Sequence, residues 1–157
     1  MPPITPRKPQ RRALLIGICY KHTHQDDWPE LLLTHRDVDR FRALLRSRYD
    51  YADDEITVMK DDEAVPSRLW PTAQNIRREL DRLVRGTAAG DQLVLLFCGH
   101  SDQLDTEETK DKTEEDGQDE VIIACDAKRI VDNELKYRLV TSLHAGVNLT
   151  VRVLSLS

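Results

Sequence analysis

The sequence predicts an α/β protein, a three-layer α/β/α sandwich around a mostly parallel sheet, and three observations predict it. The first is an order of periodicities: short apolar or β-branched runs alternate with amphipathic stretches, giving strand, helix, strand, helix, strand between Arg12 and His100. Right-handed crossovers then make the strands parallel and lay helices on both faces. The second is the stretch Asp91 to His100, in which five consecutive large apolar residues, Leu93 to Phe97, follow a Gly90-Asp91 turn. A strand apolar at every position is buried on both faces, as at the centre of a parallel sheet. The third is size, since 157 residues with 39% hydrophobic and 32% charged side chains suit one compact domain and leave no room for a second.

Residues 1–11 contain Pro2, Pro3, Pro6 and Pro9, which block helix and ladder alike, so a disordered, basic, proline-rich tail is expected before a domain spanning 12–157. Arg12 to Tyr20 reads as the first strand, and Gly17 inside it implies that a neighbour's backbone passes close by. The His22-Thr23-His24-Gln25-Asp26-Asp27 segment has ligand-like spacing, but without an accompanying cysteine or second histidine cluster it reads as a solvated loop. Thr34 to Tyr49 carries Val38, Phe41, Leu44 and Leu45 at helical spacing, an amphipathic crossover helix with Asp37 in its first turn, where the helix dipole favours a carboxylate. Glu55 to Lys60 alternates as a second strand. Thr72 caps a second helix whose Ile76, Leu80, Leu83 and Val84 face the core, with Asp81 and Arg85 as an i,i+4 pair.

Beyond His100 the segment 101–120 holds ten Asp or Glu residues against Lys110 and Lys112, and a stretch so poor in apolar residues reads as an acidic loop. Its last carboxylates abut the apolar run Val121 to Cys125. Hard cations prefer such oxygen clusters, although the spacing is not that of an EF-hand. Asp132-Asn133-Glu134 opens a third helix with Leu135, Leu139, Val140 and Leu143 on one face, and Leu149 to Leu154 forms a last strand.

Composition narrows the functional classes. A net charge of −5 gives no electrostatic reason to expect nucleic acid or an anionic membrane. No window reaches the roughly 18 apolar residues of a membrane span, and the start has no apolar signal-peptide core, so a cytoplasmic protein is expected. Cys19, Cys98 and Cys125 lie in apolar runs and read as reduced, buried thiols, with neither a disulfide framework nor a zinc site indicated. His100 stands at the carboxyl end of the central strand, where open α/β sheets place ligands and catalytic groups, and is therefore a candidate general base. A glycine-rich nucleotide-binding turn after the first strand is missing from the sequence.

Four segments in order, Arg12-Ala13-Leu14-Leu15-Ile16-Gly17-Ile18, Cys98-Gly99-His100, Asp116-Gly117-Gln118-Asp119-Glu120-Val121-Ile122 and Ile130-Val131-Asp132-Asn133-Glu134, resemble the type I metacaspases. The resemblance implies a caspase-type fold and, in the family, a Cys-His dyad that cleaves after arginine or lysine, usually with calcium activation. On this basis His100 matches the dyad histidine, Asp37 an aspartate of the pocket for the basic side chain, and Asp119, Asp132 and Asn133 positions that hold calcium. Cys98 stands in that pocket where the family usually has serine, Ser101 and Asp102 where it has glycines, and Asn133 where it has a second aspartate. Loss of one carboxylate should weaken a calcium site.

The largest departure lies where the family reads Asp-x-Cys-His. Here Leu154 stands in place of the pocket aspartate and Leu156 in place of the nucleophile. We expect Val151 to Ser157 to be the translation of a retained intron or shifted frame, so that this large-subunit region stops before the catalytic cysteine. Three readings stay open: a metacaspase-family endopeptidase domain that is inactive for want of its nucleophile, a pseudo-peptidase that binds basic peptides or a related metacaspase chain, and an unrelated α/β domain that binds a small anion.

Overall fold

A computed structural model describes residues 1–3, 5–105 and 118–156. Six strands, β1 (Arg11–Gly17), β2 (Ile56–Lys60), β3 (Gln92–Asp105), β4 (Gln118–Ile123), β5 (Arg129–Val131) and β6 (Asn148–Leu156), share one sheet with three helices, α1 (Thr34–Tyr49), α2 (Ala73–Val84) and α3 (Asp132–Val140). The strand order is β2-β1-β3-β4-β5, with β6 also paired to β3. β1 pairs parallel with β2 and β3, and β3 parallel with β6, whereas β3–β4 and β4–β5 are antiparallel. The expectation of a mostly parallel sheet thus holds for β2, β1, β3 and β6 and not for β4 and β5. These two complete a meander, because β3 does not stop at His100: it runs on through Ser101–Asp105 to pair with β4. The acidic loop expected over 101–120 therefore has strand at both ends, and its middle, 106–117, lies outside the described residues.

Two apolar layers enclose the sheet, as a three-layer sandwich requires. Ala13, Leu15, Leu96 and Cys98 face α1 through Val38 and Leu45. Leu14, Ile16, Leu93, Leu95 and Phe97 face α2 through Ile76, Leu80, Leu83 and Val84, and α3 through Leu139. The alternation follows from the period-2 geometry of a strand. Gly17 is needed for the first contact: a Cβ there would come within 2.8 Å of Val38 Cγ2 and 3.1 Å of the Thr34 carbonyl oxygen, so α1 can cross close above β1. The stripe of α1 is narrower than read, since Leu44 is exposed and only Val38 and Leu45 of the four expected residues are buried.

On the other face, Thr72 caps α2 by accepting the Asn75 backbone N–H at 3.2 Å. The expected Asp81–Arg85 pair does not form, because Arg85 has already left the helix with ψ 131, and Asp81 instead accepts both hydrogen bonds from Arg138 of α3. Glu134 accepts from Arg77 and Arg138, so the two helices are clamped by a four-residue ion-pair network. Val140 is exposed rather than internal: adjacent helical residues diverge by about 100°, and Leu139 takes the inward position.

Among the described residues the tail through Gln10 forms neither helix nor strand, but it is tethered. Asp91, at the entry to β3, accepts hydrogen bonds from Arg7, from the Gln10 backbone N–H and from the Ala88 backbone N–H, at 2.7, 2.8 and 2.9 Å. No helix among the described residues is long and apolar enough to cross a membrane.

Candidate active site

The carboxyl ends of β1 and β3 open onto the loop 18–33, and this loop builds the surroundings of His100. Cys19 and Tyr20 turn away from β1 with Tyr20 in the left-handed region, φ 61, a conformation a bulky residue adopts only when it is held. The holder is Asp61, just after β2, whose carboxylate accepts the backbone N–H groups of Cys19 and Tyr20 at 2.8 Å each and His35 Nε2 at 2.7 Å. Burial alone would raise the pKa of Asp61, but the bonds from His35, Cys19 and Tyr20 outweigh it and keep the carboxyl below its ordinary range.

Held in this way, the Tyr20 hydroxyl accepts the backbone N–H of His100 at 2.7 Å and donates to the carbonyl of Ile123 at 2.7 Å, which ties the loop after β1 to β3 and β4 at one atom. Gly99 makes room for it, since a Cβ there would lie 2.6 Å from that hydroxyl and 2.8 Å from the Phe97 ring. The His100 ring makes tilted contacts with Tyr20, with centroids 4.6 Å apart, and Trp28, at 5.6 Å. Its Nε2 lies 2.8 Å from the Pro29 carbonyl. A carbonyl oxygen can only accept, so Nε2 carries the hydrogen, and in the neutral ring Nδ1 is then the basic nitrogen. This is an oriented imidazole, only 5% exposed, suited to moving a proton at Nδ1.

Cys98, two residues earlier on β3, faces α1 and is 1% exposed. Burial, and secondarily the nearby charge of Asp37, push its thiol up to about 11. Asp37 of α1 is half-exposed and makes a long, 4.0 Å contact with Arg36. The register of β3 against β6 pairs Cys98 with Leu154 and His100 with Leu156, so these two β6 positions flank the cysteine and the histidine.

Asp119 lies on β4, and Asp132 and Asn133 open α3 directly after β5. Asp119 of β4 is a buried carboxylate, 2% exposed. The β4–β5 pairing ends at Val121 opposite Val131, two residues from Asp119, and α3 begins at the next residue, so Asp132 and Asn133 start the helix beside that end of the ladder. Asp132 is paired with Lys136 at 2.7 Å. The donors are oxygens alone, the chemistry a hard cation needs.

Reading the sequence singled out His100, Asp37 and Cys98 but missed Tyr20, Pro29, His35 and Asp61. Asp61 carried a usable signal, as a carboxylate at the carboxyl end of a strand in the same sheet as His100. Tyr20 and Pro29 did not, because an aromatic ending an apolar run and a loop proline have many ordinary roles.

A family model described as metacaspase, peptidase C14 domain, matches residues 11–155. Among known proteins the chain is 36% identical over 146 residues to Metacaspase-1 of Eremothecium gossypii, covering 91% of this chain and 30% of that protein. It is 39% identical to Metacaspase-1A of Neurospora crassa, over 90% of this chain and 30% of that protein, and 36% identical to Metacaspase-4 of Arabidopsis thaliana, over 90% and 32%. The chain thus spans about a third of the length of these relatives. A crystal structure of a Geobacter sulfurreducens protein shares the fold, with a TM-score of 0.68 at 23% identity over 92% of this chain and 50% of that one.

Proposed function

The chain belongs to the metacaspase family of C14 peptidases, and from that premise we propose that it is a cysteine-endopeptidase domain which retains the histidine and the basic-residue carboxylate of the family but does not cleave peptides. The observation that carries this reading is the register that pairs His100 with Leu156. Neighbouring strands lie about 4.8 Å apart, so position 156 is where a thiol would come within reach of the imidazole, and leucine has no nucleophilic atom. Cys98 does not substitute. Its thiol pKa of about 11 leaves it protonated near neutrality, and two residues of extended strand separate it from His100 by about 6.6 Å. Burial pushes Cys125 up to about 12, and it raises Cys19 as well.

Asp37 supplies the charge that recognises an arginine or lysine side chain of a peptide. Asp119, Asp132 and Asn133 would hold calcium, which would neutralise their two carboxylates and brace the start of α3 against β4; Lys136 competes for Asp132. The protein acts in the reducing cytoplasm, with its three cysteines as free thiols.

The test is hydrolysis of fluorogenic Arg and Lys peptides with and without calcium, by the chain as it stands and by a Leu154→Asp, Leu156→Cys double variant. The expected outcome is no turnover by the former and turnover by the latter that His100→Ala abolishes. Turnover by the unaltered chain that disappears with His100→Ala overturns the proposal. A second reading, capture of basic peptides without cleavage, is favoured by the half-exposed carboxylate of Asp37, which a basic side chain can reach, and calorimetric titration with an arginine peptide against Asp37→Ala tests it.

A further inference from the structure

Three side chains able to ligate a metal converge in a place the peptidase reading does not use. Cys19 lies two residues beyond β1, His35 is the second residue of α1, and Asp61 follows β2 directly. The Cys19 Sγ, a ring nitrogen of His35 and a carboxylate oxygen of Asp61 all lie within 4.8 Å of one another, and among the described residues this is the group of three or more His, Cys, Asp and Glu side chains that can share an ion. We propose that Cys19, His35 and Asp61 form a zinc-type binding site for a borderline-soft divalent metal.

The donor set is one thiolate, one imidazole and one carboxylate, the mixture that zinc accepts and that calcium or magnesium does not. Zinc bonds of about 2.3 Å to sulfur and 2.0–2.2 Å to nitrogen and oxygen set donors about 3.2–3.8 Å apart in a tetrahedron. Reaching that range needs small side-chain rotations: His35 Nε2 and Asp61 Oδ1, 2.7 Å apart, exchange their hydrogen bond for the metal and open, within a group that spans no more than 4.8 Å. A deprotonated Cys19 and an ionised Asp61 with neutral His35 carry two negative charges, which a divalent ion cancels. Binding releases the thiol proton and moves the His35 ring hydrogen from Nε2 to Nδ1, or to solvent if the ring enters as the cation.

The frame is prebuilt. Asp61 is 2% exposed and is fixed by the backbone N–H groups of Cys19 and Tyr20, while His35 sits on the rigid first turn of α1. These hydrogen bonds to the carboxylate are the kind of support that orients a metal ligand. The three residues line a cavity of about 360 Å³, so the ion has an entry path and water can complete its coordination. The position gives the metal a consequence. Asp61 holds Tyr20, and Tyr20 holds the backbone of His100, so an ion here would stiffen the walls around His100 without touching it.

The test is titration of the metal-free chain with cobalt(II) followed by displacement with zinc. Expected are one equivalent bound, visible absorption of tetrahedral intensity with a thiolate-to-cobalt charge-transfer band in the near ultraviolet, and loss of both on adding zinc. Cys19→Ser should remove the charge-transfer band, and His35→Ala should weaken binding by about tenfold or more; both variants are checked for native circular dichroism. Cys98→Ala and Cys125→Ala should leave the band in place. Absence of the band in the folded chain, its survival in Cys19→Ser, or its loss in Cys125→Ala instead overturns the proposal. If Cys19→Ser does not fold, alkylation of Cys19 in the folded chain serves the same purpose: protection by one equivalent of zinc supports the site, and unchanged labelling refutes it.

Discussion

The residue with the largest structural leverage on the site is Tyr20 rather than His100. Its hydroxyl satisfies a buried N–H from a residue 80 positions away and a buried carbonyl 103 positions away, and burial keeps the phenol protonated so that it can donate. Tyr20→Phe keeps the ring and its contact with His100 but leaves both backbone groups without that partner. Unsatisfied buried groups cost about 1–3 kcal/mol each, so a loss of about 2–6 kcal/mol is expected, seen as a lower urea midpoint with an unchanged slope. The imidazole resonances of His100 should move as well. A change below about 0.5 kcal/mol would mean that water replaces the hydroxyl at no cost. This explains what was legible at this scale. His100 could be read because its cue is local, a histidine ending a buried strand. Tyr20 could not, since its role exists only through partners on two other strands.

At the scale of elements, β3 shows where reading from sequence succeeds and where it stops. Leu93 to Phe97 announce a central strand because every residue is apolar, and the helix expected over Thr34 to Tyr49 has those bounds, although only Val38 and Leu45 of its expected stripe are buried. Ser101-Asp102-Gln103 announce a loop, yet they are strand, since their ladder partner is β4 rather than the core and pairing does not need apolar side chains. The three-residue β5 is likewise defined by its neighbour and not by its own composition. The entry to β3 depends on Asp91. Burial alone would raise its pKa, but the N–H groups of Gln10 and Ala88 and the guanidinium of Arg7 bring it down to about 2. A carboxyl whose folded pKa is depressed contributes stability that is present above its unfolded pKa and is lost as pH falls. The contribution of Asp91 should therefore be full above about pH 4 and vanish between roughly pH 4 and pH 2. Asp91→Asn should lower stability near neutrality by about 1–3 kcal/mol, the worth of hydrogen bonds to a charged group. The gap between the two proteins, followed by denaturant unfolding across pH, should close toward pH 2. A gap that stays constant down to pH 2 would show that the charge contributes nothing.

For the molecule as a whole, element order and the three layers were legible because hydrophobic periodicity and right-handed crossovers leave few arrangements, whereas the split between parallel and antiparallel halves was not, since it depends on where β3 changes partners. The same topology sets β6 at an edge: it pairs with β3 from Asn148 to Leu156, and among the described residues no strand covers its other side. Val151, Val153 and Leu154 are 46%, 48% and 49% exposed there. A nine-residue edge with unpaired backbone groups and apolar side chains is a template for adding another strand, which natural edges usually blunt with charge or proline. Arg152 is the one charged residue in β6, and it stands between the two valines on the opposite face. The chain is therefore expected to self-associate as its concentration rises, measured by light scattering coupled to size exclusion. Val151→Lys with Val153→Lys should shift it toward the monomer and raise its solubility while leaving circular dichroism and the melting transition within about 1 kcal/mol, because both side chains are already half in water. A chain that stays monomeric over a hundredfold range of concentration, or a lysine pair that associates as strongly as the original, would place the association surface elsewhere.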